Sequence, residues 1–173
     1  MSRIIVTPLS AVDTAVLSHR PSHLVTLLSP EHMVDVHPEF GAERHLRLGV
    51  QDIVDAAAGD SPPGAHHILQ LLEFGRGWNA GPAPLLVHCW AGISRSTAAA
   101  YILACDKAGP GTEVTLAKIL RERAAHAAPN RLMVEIGDDL LGRRGKMVDA
   151  VDTIGRGSIA TEGQLFEMPV FIP

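Results

Sequence analysis

The stretch Leu85-Leu86-Val87-His88-Cys89-Trp90-Ala91-Gly92-Ile93-Ser94-Arg95-Ser96-Thr97 constrains what this chain can become. An apolar run ends in a cysteine, a short loop with Gly92 at its centre follows, and Arg95 opens an alanine-rich segment. This order predicts a strand ending at Val87 or His88, a tight loop, and a helix beginning near Ser94. Backbone N–H groups of such a loop and of the first helical turn converge on one point, where the helix dipole adds roughly half a positive charge. The predicted geometry is an anion site with a thiol at its base.

The residue types agree with that geometry. A thiolate is the reactive form of cysteine, and helix N-termini and nearby cations lower the free-thiol pKa of ~8.5 into a range of about 3.5–7.5. Arg95 is such a cation, and its planar fork holds two oxygens of a phosphate at once. Gly92 falls where the loop reverses, a place that needs positive φ and close backbone approach. Ser96 is placed to donate a hydrogen bond to the Cys89 sulfur. Reading Cys89 as a buried structural cysteine would leave the order of strand, loop and helix unexplained.

His88-Cys89, five residues, then Arg95-Ser96 resembles the active-site signature of the cysteine-dependent protein tyrosine and dual-specificity phosphatases, in particular short bacterial-type single-domain members. The match is close over residues 85–98 and loose, in order of elements, over residues 23–141. The resemblance implies that Cys89 is the nucleophile and that Arg95 holds the phosphate. It also implies a substrate-binding cradle of His88, Trp90, Ala91, Gly92, Ile93, Ser94 and Ser96. The family's general acid is an aspartate on a loop after a strand, tens of residues before the cysteine. Asp52 fits best by position, with Asp55 and Asp60 as rivals; Asp60 precedes Ser61-Pro62-Pro63, which reads as a helix start. Trp90 departs from the small or basic residues common after the cysteine, and its ring either lines the mouth or packs beneath it.

With 173 residues, 46% hydrophobic and 20% charged, the chain is expected to form one domain over residues 1–150. Residues 151–173 read as a C-terminal tail, packed or partly disordered. A net charge of −4 and a longest basic cluster confined to residues 143–146 argue against nucleic acid. Two cysteines do not make a disulfide framework; a reactive Cys89 implies a reducing, cytoplasmic setting, and Cys105 reads as a buried small residue. No span approaches the ~18 apolar residues of a membrane helix, and Ile4-Ile5-Val6 is too short for a signal peptide. His66 and His67 point about 100° apart on a helix, so no metal or other cofactor is expected.

Taken in order, residues 4–6 read as a strand and Ser10 as the N-cap of a helix through Leu17; residues 23–28 and 44–50 read as strands around a loop. A helix over residues 63–78 ends at Asn79-Ala80-Gly81-Pro82. The motif strand and its helix to Lys107 follow. Thr112 caps a helix bearing Val114, Leu116, Ile119 and Leu120 and stopping near Ala128-Pro129. Asn130 caps the last core helix, with Leu132, Met133, Ile136, Leu140 and Leu141 as its stripe. After Lys146 the pattern weakens, apart from an apolar stretch over residues 165–172. The expected fold is α/β, a small, mostly parallel central sheet flanked by helices, dual-specificity-phosphatase-like.

The resemblance implies hydrolysis of phosphomonoesters through a phosphocysteine intermediate, on protein phosphotyrosine first, with phosphoserine or a small metabolite left open. Phosphate or sulfate is expected to occupy the loop. Uncharged Trp90, Ala91, Ile93 and Ser94 speak against polyphosphorylated lipid. Two alternatives stand beside this reading: a rhodanese-like sulfurtransferase, against which the five-residue spacing, His88 and Ser96 argue, and a phosphate-recognition module without catalysis.

Overall fold

All five residues of β4 (Leu85–Cys89) are buried, as in a strand paired on both edges and covered on both faces. β1 (Arg3–Pro8) and β2 (His23–Leu28) flank it in parallel, β3 (His45–Gly49) adds to β2 in parallel, and β5 (Phe166–Pro169) runs antiparallel along β1. The order across the sheet is β3-β2-β4-β1-β5. The computed structural model describes residues 2–78 and 81–170. Asn79 and Ala80 of the expected helix end, and residues 171–172 of the late apolar stretch, lie outside the described residues.

Strand alternation sorts side chains onto two cores. Ile4, Val6, Val25, Leu27, Leu85, Val87 and Cys89 enter the large core, which α2 (Ala65–Gly77), α3 (Arg95–Ala108), α4 (Glu113–Arg123), α5 (Arg131–Leu140) and α6 (Lys146–Thr153) share. Ile5, Leu24 and Leu86 turn to the other face, under α1 (Val12–His19) and Phe40. The result is the expected α/β fold with a mostly parallel sheet. α3 is buried without a break from Arg95 to Cys105, as a helix apolar all round must be. Its alanines let neighbours approach closely, and Gly137 of α5 meets it where a Cβ would lie 2.8 Å from Ile102 Cγ1.

Several local expectations are corrected. Leu9–Ala11 forms a single tight turn, so Ser10 caps nothing; its hydroxyl donates to Glu162 Oε1 at 2.6 Å. α2 begins at Ala65 rather than at the prolines, because Gly64 is extended and its N–H donates to His67 Nδ1 at 3.2 Å. Thr112 stands at the start of α4, but its hydroxyl donates to Gly109 O at 2.7 Å, and the helix ends at Arg123 with Val114 exposed. Asn130 is a true cap, accepting the Met133 N–H at 3.0 Å. Of the expected α5 stripe, Met133 is buried and Ile136 and Leu141 pack against the core, whereas Leu140 is exposed and the remaining buried positions are Val134, Gly137 and Asp138. α6 and β5 were not anticipated; α6 buries only Met147 and Ala150, too few to mark a helix in sequence.

A buried ion pair ties this helical layer together. Arg143 Nη1 donates to Glu113 Oε1 at 3.0 Å, Glu113 Oε2 accepts the Gly111 N–H at 3.0 Å, and Arg143 Nη2 donates to Cys105 O at 2.9 Å. Both side chains are buried. Glu113→Ala strands the guanidinium without a counter-charge and is expected to cost about 3–5 kcal/mol in urea unfolding; a loss below about 1 kcal/mol, as for a surface pair, would contradict this packing.

Candidate active site

Cys89 is the last residue of β4, and Arg95 is the first of α3. Alternation along β4 puts the Cys89 side chain on the α3 face, where Sγ lies 3.1 Å from Ser96 Oγ. Only 2% of the residue is exposed, so the sulfur forms the floor of a recess under the loop of residues 90–94.

Four of the five loop carbonyls are turned away from that recess by hydrogen-bond partners outside it. Trp90 O accepts the Leu9 N–H at 3.1 Å, and Ala91 O accepts the Gly163 N–H at 2.7 Å. Ile93 O accepts from Ala128 N at 3.0 Å, and Ser94 O from Asn130 N at 3.2 Å and Ala98 N at 3.0 Å. The Thr97 hydroxyl donates to both Ile93 O and Ser94 O, at 2.6 and 3.0 Å. The Gly92 carbonyl faces the His126 ring. Among the described residues, no amide of residues 90–94 donates to a protein acceptor. Inward amides at a helix start are the donors an oxyanion needs.

Gly92 has the positive φ expected of it, +70°. A Cβ there would lie 2.7 Å from Pro8 N and 3.0 Å from Thr7 C, so the loop rests directly on the backbone at the end of β1.

Arg95 is buried, with Nη1 donating to Val50 O at 2.9 Å. Its Nε is buried and makes no hydrogen bond, and Asp52 Oδ2 stands 4.0 Å from it. A buried guanidinium with a donor left over fits an anionic ligand, which would supply the missing acceptor and charge. Asp52 Oδ1 accepts from Ser94 Oγ at 2.7 Å and from Asn130 Nδ2 at 2.9 Å. Asp55 instead accepts the N–H of Ala57 in its own turn, at 2.9 Å. The Asp60 backbone N–H is tied to Gln51 Oε1 at 3.0 Å, and the residue lies on an exposed stretch. Asp52 is therefore the aspartate that structure brings to the loop.

His88 lies on the opposite face of the sheet from the Cys89 side chain. Burial pushes its pKa down to about 4, and its Nδ1 is 3.3 Å from Cys89 O. Trp90 is 55% exposed and leans on His32, ring centroids 5.4 Å apart, so it belongs to the mouth rather than to the packing beneath. Cys105 is fully buried in α3, and burial pushes its thiol up to about 12, an inert setting.

Three further residues support the loop, and sequence reasoning missed two of them, His126 and Gly163. Asn130, for which position gives a cap and the family resemblance a place near the site, does both: Oδ1 caps α5 while Nδ2 holds Asp52 and, at 3.0 Å, Ile53 O. His126 and Gly163 buttress the outer wall of the loop from distant parts of the chain, and no local signal marks them. Added phosphate is expected to raise the melting temperature of the parent protein; Gly92→Ala is expected to lose that rise and to lower stability by more than about 1 kcal/mol in urea unfolding.

No protein-family model matches the chain, and no curated protein matches it in sequence. Solved structures do match. The crystal structure of DUSP15 superposes with a TM-score of 0.63 at 16% identity, covering 89% of this chain and 94% of that one. The Cydia pomonella PTP-2 phosphatase gives 0.54 at 18% identity, covering 79% and 84%, and PTPMT1 gives 0.50 at 14%, covering 83% and 94%. At these identities the likeness speaks for the architecture: the chain has the fold of the dual-specificity and protein tyrosine phosphatases.

Proposed function

We propose that this protein hydrolyses phosphomonoesters through a phosphocysteine intermediate. One observation carries the reading: a thiol lies beneath a loop four of whose five carbonyls are hydrogen-bonded outside it, with a buried arginine beside it that has a donor to spare. That combination suits a tetrahedral oxyanion held over a nucleophile.

In the first step the Cys89 sulfur attacks phosphorus, the S–P bond forms, and the bond to the leaving oxygen breaks. Asp52 gives its proton to that oxygen. Both hydrogen bonds to the carboxylate fall on Oδ1, which leaves Oδ2 to carry the proton. In the second step water attacks phosphorus, Asp52 takes the water's proton, and the S–P bond breaks to return the thiolate. Ser96 Oγ, at 3.1 Å, steadies the departing sulfur. Arg95 and the amides of the loop hold the equatorial oxygens through both steps, the largest expected share of the catalysis.

Protein phosphotyrosine is the leading substrate. The exposed pair of Trp90 and His32 supplies an aromatic rim beside the loop, and the uncharged loop residues suit a single phosphate better than a polyphosphorylated lipid. Among the described residues no helix is long and apolar enough to cross a membrane. A working Cys89 thiol calls for a reducing compartment, and the cytoplasm is the setting proposed.

Turnover of a small aryl phosphate tests the reading. Cys89→Ser is expected to abolish it, and Asp52→Asn to lower kcat by about 10²–10⁴. Full activity in the Cys89 variant would refute the mechanism. Tight phosphopeptide binding by the parent protein without turnover would instead make the site a recognition module.

A further inference from the structure

Behind the loop, on the α1 face of the sheet, a chain of hydrogen bonds runs to Cys89 through residues that the mechanism does not use. Thr26 on β2 stands opposite His88 on β4, and His45 on β3 stands opposite Leu24, two residues before Thr26. Alternation puts Thr26 and His88 on the face of Leu24 and Leu86. Thr26 Oγ1 lies 2.7 Å from His88 Nε2 and 2.8 Å from His45 Nε2. His45 Nδ1 accepts the His37 backbone N–H at 3.0 Å. Thr26, His45 and His88 are all buried.

Backbone groups at its two ends fix the protons along this chain: the His37 N–H can only donate to His45, and the Cys89 carbonyl can only accept from His88. An amide N–H can only donate, so His45 Nδ1 is an acceptor and the single proton of the neutral ring sits on Nε2. That N–H donates to Thr26 Oγ1, whose own proton then goes to His88 Nε2. His88 is left with its proton on Nδ1, 3.3 Å from the Cys89 carbonyl. Protonating His45 would set two donors against each other at His37 N. Burial pushes each ring down to about 4; the charges of Arg47 and His37 act the same way on His45, and those of His45, His37 and Arg95 on His88, where the hydrogen bond to the Cys89 carbonyl works against them. The His37 ring in turn meets Asp13 Oδ1 at 3.1 Å.

We infer that Thr26 and His45 are positioning residues for Cys89: they lock His88 in its Nδ1–H tautomer, which holds the Cys89 carbonyl away from the anion recess and so sets the sulfur beneath it. The inference rests on the proposed role of Cys89. It extends by one residue the outward turn of carbonyls seen over residues 90–94, and an inward carbonyl dipole at this point would oppose a bound oxyanion.

Nitrogen NMR of histidine-labelled protein tests the placement directly, because the two tautomers have distinct ring signatures. The parent protein is expected to show His45 as Nε2–H and His88 as Nδ1–H. Thr26→Val keeps the shape of the side chain and removes both links. It is expected to release His88 from the Nδ1–H form and to lower kcat/KM for an aryl phosphate about 10-fold, the weight of one neutral hydrogen bond. It should also slow the alkylation of Cys89 by iodoacetamide at neutral pH by a similar factor, read on the Cys89 peptide by mass spectrometry. Thr26→Ser, which keeps the hydroxyl, is expected to restore all three. An Nε2–H form of His88 in the parent would overturn the inference, and so would a folded Thr26→Val protein with unchanged tautomer and alkylation. Should Thr26→Val fail to fold, the parent tautomers decide. If the parent protein turned over no phosphomonoester, the phosphatase reading would fall, while the tautomer and alkylation readouts would still decide this one.

Discussion

Five successive carbonyls, those of residues 90–94, must find partners outside the loop if its amides are to face inward, and most of this fold can be understood as supplying them. The end of β1 offers the Leu9 N–H, the segment between α4 and α5 offers Ala128 and Asn130, and α3 offers Thr97 and Ala98. Another donor, Gly163 N, comes from the C-terminal segment, which β5 fastens to the free edge of β1, and the His126 ring faces the fifth carbonyl, that of Gly92. A peptide group exposes its N–H and C=O in opposite directions, so fixing the carbonyls fixes the amides. Gly92 rests directly on the β1 backbone, and a side chain there would lift the loop from its support.

The charges follow the same logic of assembly before a ligand arrives. Arg95 is buried by the packing of α3 and steered by Val50 O, at the exit of β3, so its guanidinium cannot relax toward solvent. Asp52, two residues along the same exit loop, is held by Ser94 of the anion loop and by Asn130 of the α5 cap. Three segments far apart in sequence thus converge on one carboxylate. Donors and charges fixed in advance need no reorganisation when charge develops on a substrate, and this is where an electrostatic site gains over water. The buried Thr26, His45 and His88 on the opposite face of the sheet add a neutral hydrogen-bonded scaffold behind the nucleophile.

The legible part of the molecule was the part written in neighbouring residues. Cys89, Gly92, Arg95 and Ser96 lie within one loop and one helical turn, so their types and spacing specify a recess on their own. The apolar runs of β2 and β4 similarly declare buried parallel strands. What escaped depends on contacts across long separations. β5 is a four-residue edge strand closed by Pro169, and only its pairing with β1 distinguishes it from a loop. Asn130 could be placed at a helix start from its position, but which groups its second end would meet depended on where the loop after β3 came to lie. Ser10 looked like a cap because it precedes a helix, and the tight turn of Leu9–Ala11 took it out of register.

The account stands or falls on covalent chemistry at one sulfur. Rapid denaturing quench of the protein during turnover of a radiolabelled phosphomonoester, followed by peptide mapping, measures it most directly. The account predicts one phosphoryl group per chain, carried on the peptide containing Cys89 and discharged to inorganic phosphate when the quench is delayed. Turnover with no label on the protein, or with the label on any other residue, would contradict it.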